Sequence, residues 1–267
     1  MRRLEWLASD VNRLVENGKG PERVDQAGGY VRPRRAGVSG SPTHIERSGE
    51  EQHFMAKVIV ALTMSLDGFI AGRSDAEHPD GEGEGVRRIF DWYFDGDTPI
   101  RPYQEAERRG VPVPPFKLAA ASAKVFEELV DSGGAVVTGR RTYDISGAWG
   151  GNGPLPGLPL FVVTHRVPDQ VPQGESRYTF VTDGIESAVK QAKAAAGDRW
   201  VSLMGSSVPQ QCLQAGLVDE IQIHLVPVLL GTGIRLFDHL GPDGIDLELL
   251  RVVEAPGVTH LRYRVVR

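Results

Sequence analysis

Apolar and polar residues alternate along the chain in two distinct periods from residue 57 onward. Short apolar runs rich in β-branched residues, typical of buried strands, occupy 57–63, 135–138, 159–163, 178–181 and 200–204. Helical patterns separate several of them, at 118–131, 185–196 and 208–215. Residues 219–226 alternate strictly, and 246–253 and 258–266 predict a terminal antiparallel pair. This order predicts an α/β fold with a mainly parallel twisted sheet and helices on both faces.

Two segments depart from this pattern. Residues 1–54 offer too little apolar surface to offset the entropy of ordering, so we expect a disordered extension ahead of a folded domain at 55–267. A partner-binding tail is the alternative. Residues 73–117 read as an irregular insertion that nevertheless carries the aromatic run Phe90 to Phe94. We interpret it as a lid over a pocket for a flat ligand, while an aromatic plug packed on the domain or on a partner subunit is equally compatible.

Composition narrows the class of protein. The chain of 267 residues is 40% hydrophobic and 24% charged, which is typical of a globular protein with a real core. Its net charge of -5 argues against general nucleic-acid binding, which needs a basic face. The single cysteine, Cys212, falls in a predicted helix and excludes an intrachain disulfide. There is no apolar run of membrane-spanning length and no apolar secretory core, so we expect a cytoplasmic protein.

Small and basic residues gather where three predicted strands end. These clusters are Thr138-Gly139-Arg140-Arg141-Thr142, Thr164-His165-Arg166 and Gly205-Ser206-Ser207. Carboxyl ends of parallel strands share one edge of a sheet, and a helix start with two arginines can receive a phosphate. We therefore interpret the first cluster as half of a dinucleotide phosphate site, although an ordinary turn with solvated arginines is equally open. The glycine fingerprint of the Rossmann fold is absent after the first strand, so a nicotinamide cofactor would need a different fold. The arginines favour NADPH over NADH.

The sequence gives weaker signals for a metal site, for a reactive histidine and for the contacts to a substrate. No histidine spacing indicates a metal site, and His224 in the alternating strand is expected to pack or to form hydrogen bonds. Three residues are candidate substrate contacts: Asp67 in the turn after the first strand, Trp92 in the insertion, and Trp149 in the glycine-rich loop 146–153.

A series of motifs resembles one known family. They are Ser65-Leu-Asp-Gly-Phe-Ile-Ala71, Val136-Val-Thr-Gly-Arg-Arg-Thr-Tyr143, Pro159-Leu-Phe-Val-Val-Thr-His-Arg166, and the stretches 179–188 and 216–237. In this order they resemble the dihydrofolate-reductase-like family. The most similar type is the riboflavin-biosynthesis reductase, the C-terminal domain of the bifunctional deaminase-reductase, in its stand-alone form. The resemblance covers the chain beyond about residue 54.

The resemblance implies a three-layer sandwich and an NADPH-dependent reductase acting on a small heterocycle, similar to 5-amino-6-(5-phosphoribosylamino)uracil reductase. It implies that the backbone near Ala61 meets the nicotinamide, that the first two clusters hold the adenosine end, and that Gly205 to Ser207 cradle the pyrophosphate. It also implies a homodimer. A non-catalytic nucleotide or heterocycle sensor, and a dimerisation scaffold, are the alternatives.

Three features depart from the family's pattern. Ser206 and Ser207 stand where the family usually has a second glycine and a small residue. Helix 118–131 lacks a clear match to the carboxylate that protonates folate in dihydrofolate reductases. The zinc-binding cysteines of the deaminase domain are absent.

Overall fold

The computed structural model describes residues 56–73, 86–242 and 244–266. The predicted extension at 1–54, Met55 and the part of the insertion at 74–85 lie outside the described residues. Among the residues that are described, no helix has both the length and the apolar composition needed to cross a membrane.

The helices and strands follow the predicted order closely. The strands are β1 (Val58–Ser65), β2 (Phe69–Ala71), β3 (Thr98–Pro99), β4 (Lys117–Leu118), β5 (Gly133–Gly139), β6 (Leu160–Val163), β7 (Tyr178–Val181), β8 (Trp200–Met204), β9 (Glu220–Val226), β10 (Ile234–Arg235), β11 (Leu247–Ala255) and β12 (Val258–Val265). The α-helices are α1 (Arg101–Arg108), α2 (Ala120–Ser132), α3 (Arg140–Ile145), α4 (Ile185–Ala196) and α5 (Ser207–Gln214). Two short segments, Val86–Tyr93 and Gly147–Gly151, are assigned as 3-10 helix.

Eight of the strands form one sheet in the order β11-β12-β9-β1-β8-β5-β6-β7. The pairs from β9 through to β7 are all parallel, whereas β12 runs antiparallel to both β9 and β11. This confirms the mainly parallel sheet and the terminal antiparallel pair. The segment between β9 and β11 contains the short strand β10, which pairs with β2.

Helices cover both faces of the sheet because successive side chains of a strand point to opposite sides. Val58, Val137 and Val201 share one core with α4 and α5, where Cys212 is buried. Val136, Leu160 and Val162 pack on the other face with Tyr143 of α3. Further along that second face, Ala123 of α2 packs near Val226 and Val258. The three-layer architecture is therefore confirmed.

The described part of the insertion has regular structure, which corrects the expectation of an irregular segment. It consists of the 3-10 helix Val86–Tyr93, helix α1 and the small sheet of β3 and β4. Trp92 is only 2% exposed, and its ring stacks on Tyr93 with centroids 4.0 Å apart. Phe90 and Phe94 remain exposed. This part of the insertion is thus packed as a plug on the domain, the alternative that the sequence left open.

Candidate functional site

Three strand ends lie side by side because β5 is flanked by β6 and β8 in parallel register. Gly139 is opposite Val163, and Thr138 is opposite Met204. The clusters that follow these strands therefore share one edge of the sheet. We call them together the three-turn edge: residues 138–142, 164–166 and 205–207.

Arg140 links the first turn to the second. Its Nε donates to both carboxylate oxygens of Asp144, at 2.9 Å each, and its Nη1 donates to the Arg166 carbonyl at 2.7 Å. The Thr164 hydroxyl donates to the same carbonyl at 2.9 Å and accepts from the Arg166 N–H at 3.2 Å. The guanidinium of Arg140 is thus held in one place, while the side chains of Arg141, His165 and Arg166 are exposed.

The first and third turns touch through small residues. Gly205 has φ +84°, and a Cβ added there would lie 2.6 Å from the Thr142 hydroxyl. A Cβ on Gly139 would lie 3.5 Å from the Ser207 hydroxyl. Only glycine combines this backbone conformation with this close approach, so position 205 presents its main chain rather than a side chain. Ser206 precedes α5, an eight-residue helix whose first turn faces this edge.

Thr138 adds a polar group beneath the edge. The residue is fully buried, and its hydroxyl has no hydrogen-bond partner within the described residues. A buried polar group without a partner costs about 1–3 kcal/mol. The described residues therefore leave a hydrogen bond of the Thr138 hydroxyl unmade at the end of β5.

A gap in the sheet opens next to Gly205. Strand β1 pairs with β8 only from Val58 to Val60, although its pairing with β9 continues to Ser65. The Lys57 carbonyl accepts from the Val201 N–H of β8 at 2.7 Å. Backbone groups alternate in direction along a strand, so those of Ala61, four residues further on, also face the β8 side. Ala61 therefore offers main-chain groups to the gap rather than to another strand.

A buried polar cluster lies under α2, on the second face of the sheet. His224 and His260 are opposite each other in β9 and β12, and their Nδ1 atoms are 2.7 Å apart. The Nε2 atom of His260 is 2.9 Å from the Ser122 hydroxyl of α2. We call these three residues the imidazole layer. Each ring nitrogen in such a chain donates or accepts according to its neighbour, so the three groups form one linked hydrogen-bond path.

Burial keeps the imidazole layer uncharged at neutral pH. It lowers the pKa of His224 to about 3, with His260 contributing, and the pKa of His260 to about 4, with nearby Arg251 contributing. The expectation that His224 forms hydrogen bonds is met, but sequence reasoning missed Ser122 and His260. The alternating pattern shows which face His224 occupies, and only the register of β12 reveals its partner.

The three candidate substrate residues are not brought together. Asp67 accepts from the Ser65 hydroxyl at 2.7 Å and from the N–H groups of Leu230 and Gly231, and these bonds hold its pKa at about 2. Both of its oxygens therefore tie the β1–β2 turn to the loop before β10. Trp92 is buried beside the imidazole layer, so it is no exposed lid residue. Trp149 packs instead with the cluster around Tyr143.

Two further features bear on the chemistry. Within the described ranges, no group of three or more His, Cys, Asp or Glu side chains could hold a metal ion. Burial raises the pKa of the Cys212 thiol to about 12, so this thiol is a poor nucleophile at neutral pH.

Comparison with known proteins shows the family of this chain and proteins of similar fold. The model of the RibD C-terminal domain family matches residues 56–261. A protein from Shewanella sp. PV-4, provisionally assigned to riboflavin biosynthesis, is similar with a TM-score of 0.54 and 22% identity, over 79% of this chain and 99% of that one. Acinetobacter baumannii RibD is similar with a TM-score of 0.51 and 16% identity, over 80% of this chain and 59% of that one. The chain thus spans somewhat over half the length of that RibD. No curated protein matches the sequence.

Proposed function

Because the chain belongs to the RibD C-terminal domain family, we propose that it is an NADPH-dependent reductase acting on a small heterocycle. The substrate type that we propose is similar to 5-amino-6-(5-phosphoribosylamino)uracil. The observation that carries this proposal is the convergence of three turns, two of them basic, on one edge beside the gap between β1 and β8. We propose the cytoplasm as the place of the reaction.

The residues of the three-turn edge fit a dinucleotide. Gly205 presents bare main chain next to Thr142, which allows a pyrophosphate to approach closely. The arginines at 140, 141 and 166 offer guanidinium groups for an additional ribose phosphate, the feature that distinguishes NADPH from NADH. The buried Thr138 hydroxyl supplies a further polar partner.

The gap beside Ala61 fits the other end of the cofactor. A nicotinamide carboxamide needs both donors and acceptors, and the main-chain groups of Ala61 provide both. When bound, NADPH supplies the hydride. The protein's own contribution is to hold the nicotinamide ring against the substrate ring and to exclude water from the space between them. The proton that accompanies the hydride is supplied by water in this proposal.

Titration of the full chain with NADPH and with NADH, followed by fluorescence, tests the cofactor. We expect binding that prefers NADPH and weakens about tenfold or more in Arg140→Ala and in Arg166→Ala, because each variant removes charge-assisted hydrogen bonds. Arg264→Ala is the control, since this exposed arginine of β12 pairs with Glu248 of β11, far along the sheet. Absence of NADPH binding by the folded protein would overturn the proposal. Tight binding without turnover of pterin or ribityl-pyrimidine substrates would favour the sensor.

We also propose that two copies pair through β11. This nine-residue strand is at one edge of the sheet, and it exposes Leu247, Leu249, Leu250 and Val252. A long, apolar edge strand is a template for pairing with another chain. In a twofold antiparallel pairing centred between Leu249 and Leu250, Glu248 would face Arg251 of the second copy, so the edge is complementary to itself in charge.

Sedimentation tests this pairing. We expect the wild-type chain to sediment as a dimer and Leu249→Lys to sediment as a monomer, because the variant places two like charges at the centre of the pairing. Val167→Lys is a matched control at another exposed apolar residue and should remain dimeric. A monomeric wild-type protein would contradict the proposal.

A further inference from the structure

Trp92 occupies a buried position on the second face of the sheet. Its ring centroid is 5.1 Å from that of His224 and 5.3 Å from that of His260, and Tyr93 stacks on it at 4.0 Å. A flat ring is thus enclosed by a stacked tyrosine and two polar imidazoles. We call this position the Trp92 seat.

The polar groups of the Trp92 seat do not match the indole. The Nε1–H of Trp92 has no acceptor within the described residues, although a buried tryptophan N–H usually finds one. The side-chain nitrogen of Gln222, two residues before His224 on the same face of β9, likewise has no partner among them. Gln222 is only 4% exposed, so its side chain is removed from bulk solvent. The unmade bond of the indole costs about 1–3 kcal/mol, which destabilises Trp92 in this position.

The element that carries Trp92 is of a kind that shifts readily. Val86–Tyr93 is a 3-10 helix of eight residues, whereas runs beyond three or four residues are uncommon because the hydrogen-bond geometry is poor. One side of this segment is open to solvent, since Arg88 and Phe90 are exposed while Ile89 and Trp92 are buried. Moving the segment outward would therefore expose mainly its three buried side chains, those of Val86, Ile89 and Trp92.

The Trp92 seat is next to the proposed nicotinamide position. Gln222 is the register partner of Ala61, the residue whose main chain faces the gap between β1 and β8. A ring that extends from the seat over Gln222 would consequently be one strand away from a ring in the gap. Hydride transfer requires two rings to come this close.

We propose that the Trp92 seat is a binding site for a flat heterocycle that carries carbonyl acceptors, and that the ligand displaces Trp92 on entry. The ligand ring would lie against the imidazole rings of His224 and His260, which stay in the sheet when the segment moves. Its carbonyl oxygen would accept from the Gln222 side-chain nitrogen, which has no partner among the described residues. This inference rests on the proposed function for the ring's role as substrate. The displacement of Trp92 itself is measurable without cofactor or turnover.

The test uses two bicyclic probes of equal shape, lumazine with two carbonyl groups and 2,4-diaminopteridine with amino groups in their place. We expect the full wild-type chain to bind lumazine more tightly, by about tenfold, because only lumazine has carbonyl oxygens where the diamino compound has donor groups. Lumazine should raise amide hydrogen exchange in residues 86–93 and shift the tryptophan emission. The Trp149→Phe variant should keep that shift, and Trp92→Phe should lose it.

Removal of the indole gives the second arm. In Trp92→Ala the seat is vacant, so lumazine should bind at least tenfold more tightly than to the wild type. Trp92→Leu retains apolar volume and serves if the alanine variant does not fold. Unchanged or weaker lumazine binding in a folded variant, or binding without increased exchange in 86–93, would overturn the proposal. NADPH titration in parallel separates this outcome from failure of the reductase function, because the three-turn edge does not include Trp92.

Discussion

The three-turn edge and the imidazole layer are both polar, but they are built in opposite ways. The edge is formed by loops at strand ends, and its cations at 141 and 166 are exposed. The layer is formed by side chains in the middle of strands and a helix, with His224 and His260 each 3% exposed and uncharged. An exposed cationic site can bind a phosphate at little desolvation cost, whereas a buried polar layer must satisfy its own hydrogen bonds.

This difference in burial gives the two regions different roles in the protein. Loops at strand ends tolerate basic residues because water solvates them. The residues of the three-turn edge can therefore vary to match the charge of a ligand. The imidazole layer continues into an ion network on the same face, in which Arg262 bonds to Glu220 and Glu128 at 2.7 Å and lies over the Trp200 ring at 4.4 Å. We expect changes in the buried region to alter stability and changes at the edge to alter binding.

The largest effect is expected from Arg262→Met. Arg262 is 13% exposed and Glu220 is 7% exposed, so the variant leaves a buried carboxylate with Lys57 as its remaining cation. Burial alone would raise the pKa of Glu220, but hydrogen bonds from Lys57 and Arg262 outweigh it and keep the pKa below its usual range. Urea unfolding should show a loss of about 3 kcal/mol. Arg264→Met, at an exposed pair, should lose less than about 1 kcal/mol, and equal losses would contradict a buried network.

Gly205→Ala should have the next largest effect, and on binding rather than on folding. The added Cβ would collide with the Thr142 hydroxyl at the proposed pyrophosphate site, so NADPH affinity should fall about a hundredfold. Gly216→Ala is the matched control, because Gly216 also has positive φ but nothing lies within 4 Å of an added Cβ. Both variants should lose about 1 kcal/mol of stability from backbone strain. If the control loses NADPH affinity equally, strain rather than the close approach explains the effect.

A smaller effect is expected from pH on the imidazole layer. The folded pKa values, about 3 for His224 and about 4 for His260, are below the unfolded value near 6.5. The unfolded chain therefore binds protons first as pH falls, and stability present above about pH 6.5 is lost toward pH 4. Each imidazole should contribute a slope of roughly 1.4 kcal/mol per pH unit in the free energy of urea unfolding. His260→Gln should reduce the slope, whereas the exposed His165→Gln should leave it unchanged; a flat profile in the wild type would show that the layer titrates normally.

Sequence reasoning reached the sheet and the edge because both depend on local patterns. Periods of two and 3.6 residues place strands and helices, and small or basic residues at strand ends indicate a phosphate site whatever the neighbours are. The position of the aromatic run around Trp92 could not be predicted in the same way. Its composition is compatible with a lid or with a plug, and the difference is decided by which surface its rings contact.

The sequence by itself determined the α/β class, the parallel sheet with its terminal antiparallel pair, and the residues at the three strand ends. The tertiary structure alone decided that His260 meets both His224, 36 positions away, and Ser122, 138 positions away. These residues become neighbours only through strand register and the docking of α2. It alone decided that β1 separates from β8 after Val60 and that Gly205 touches Thr142. Strands and helices follow from the short period at which apolar residues recur, whereas such contacts depend on how elements that are distant in the sequence pack together.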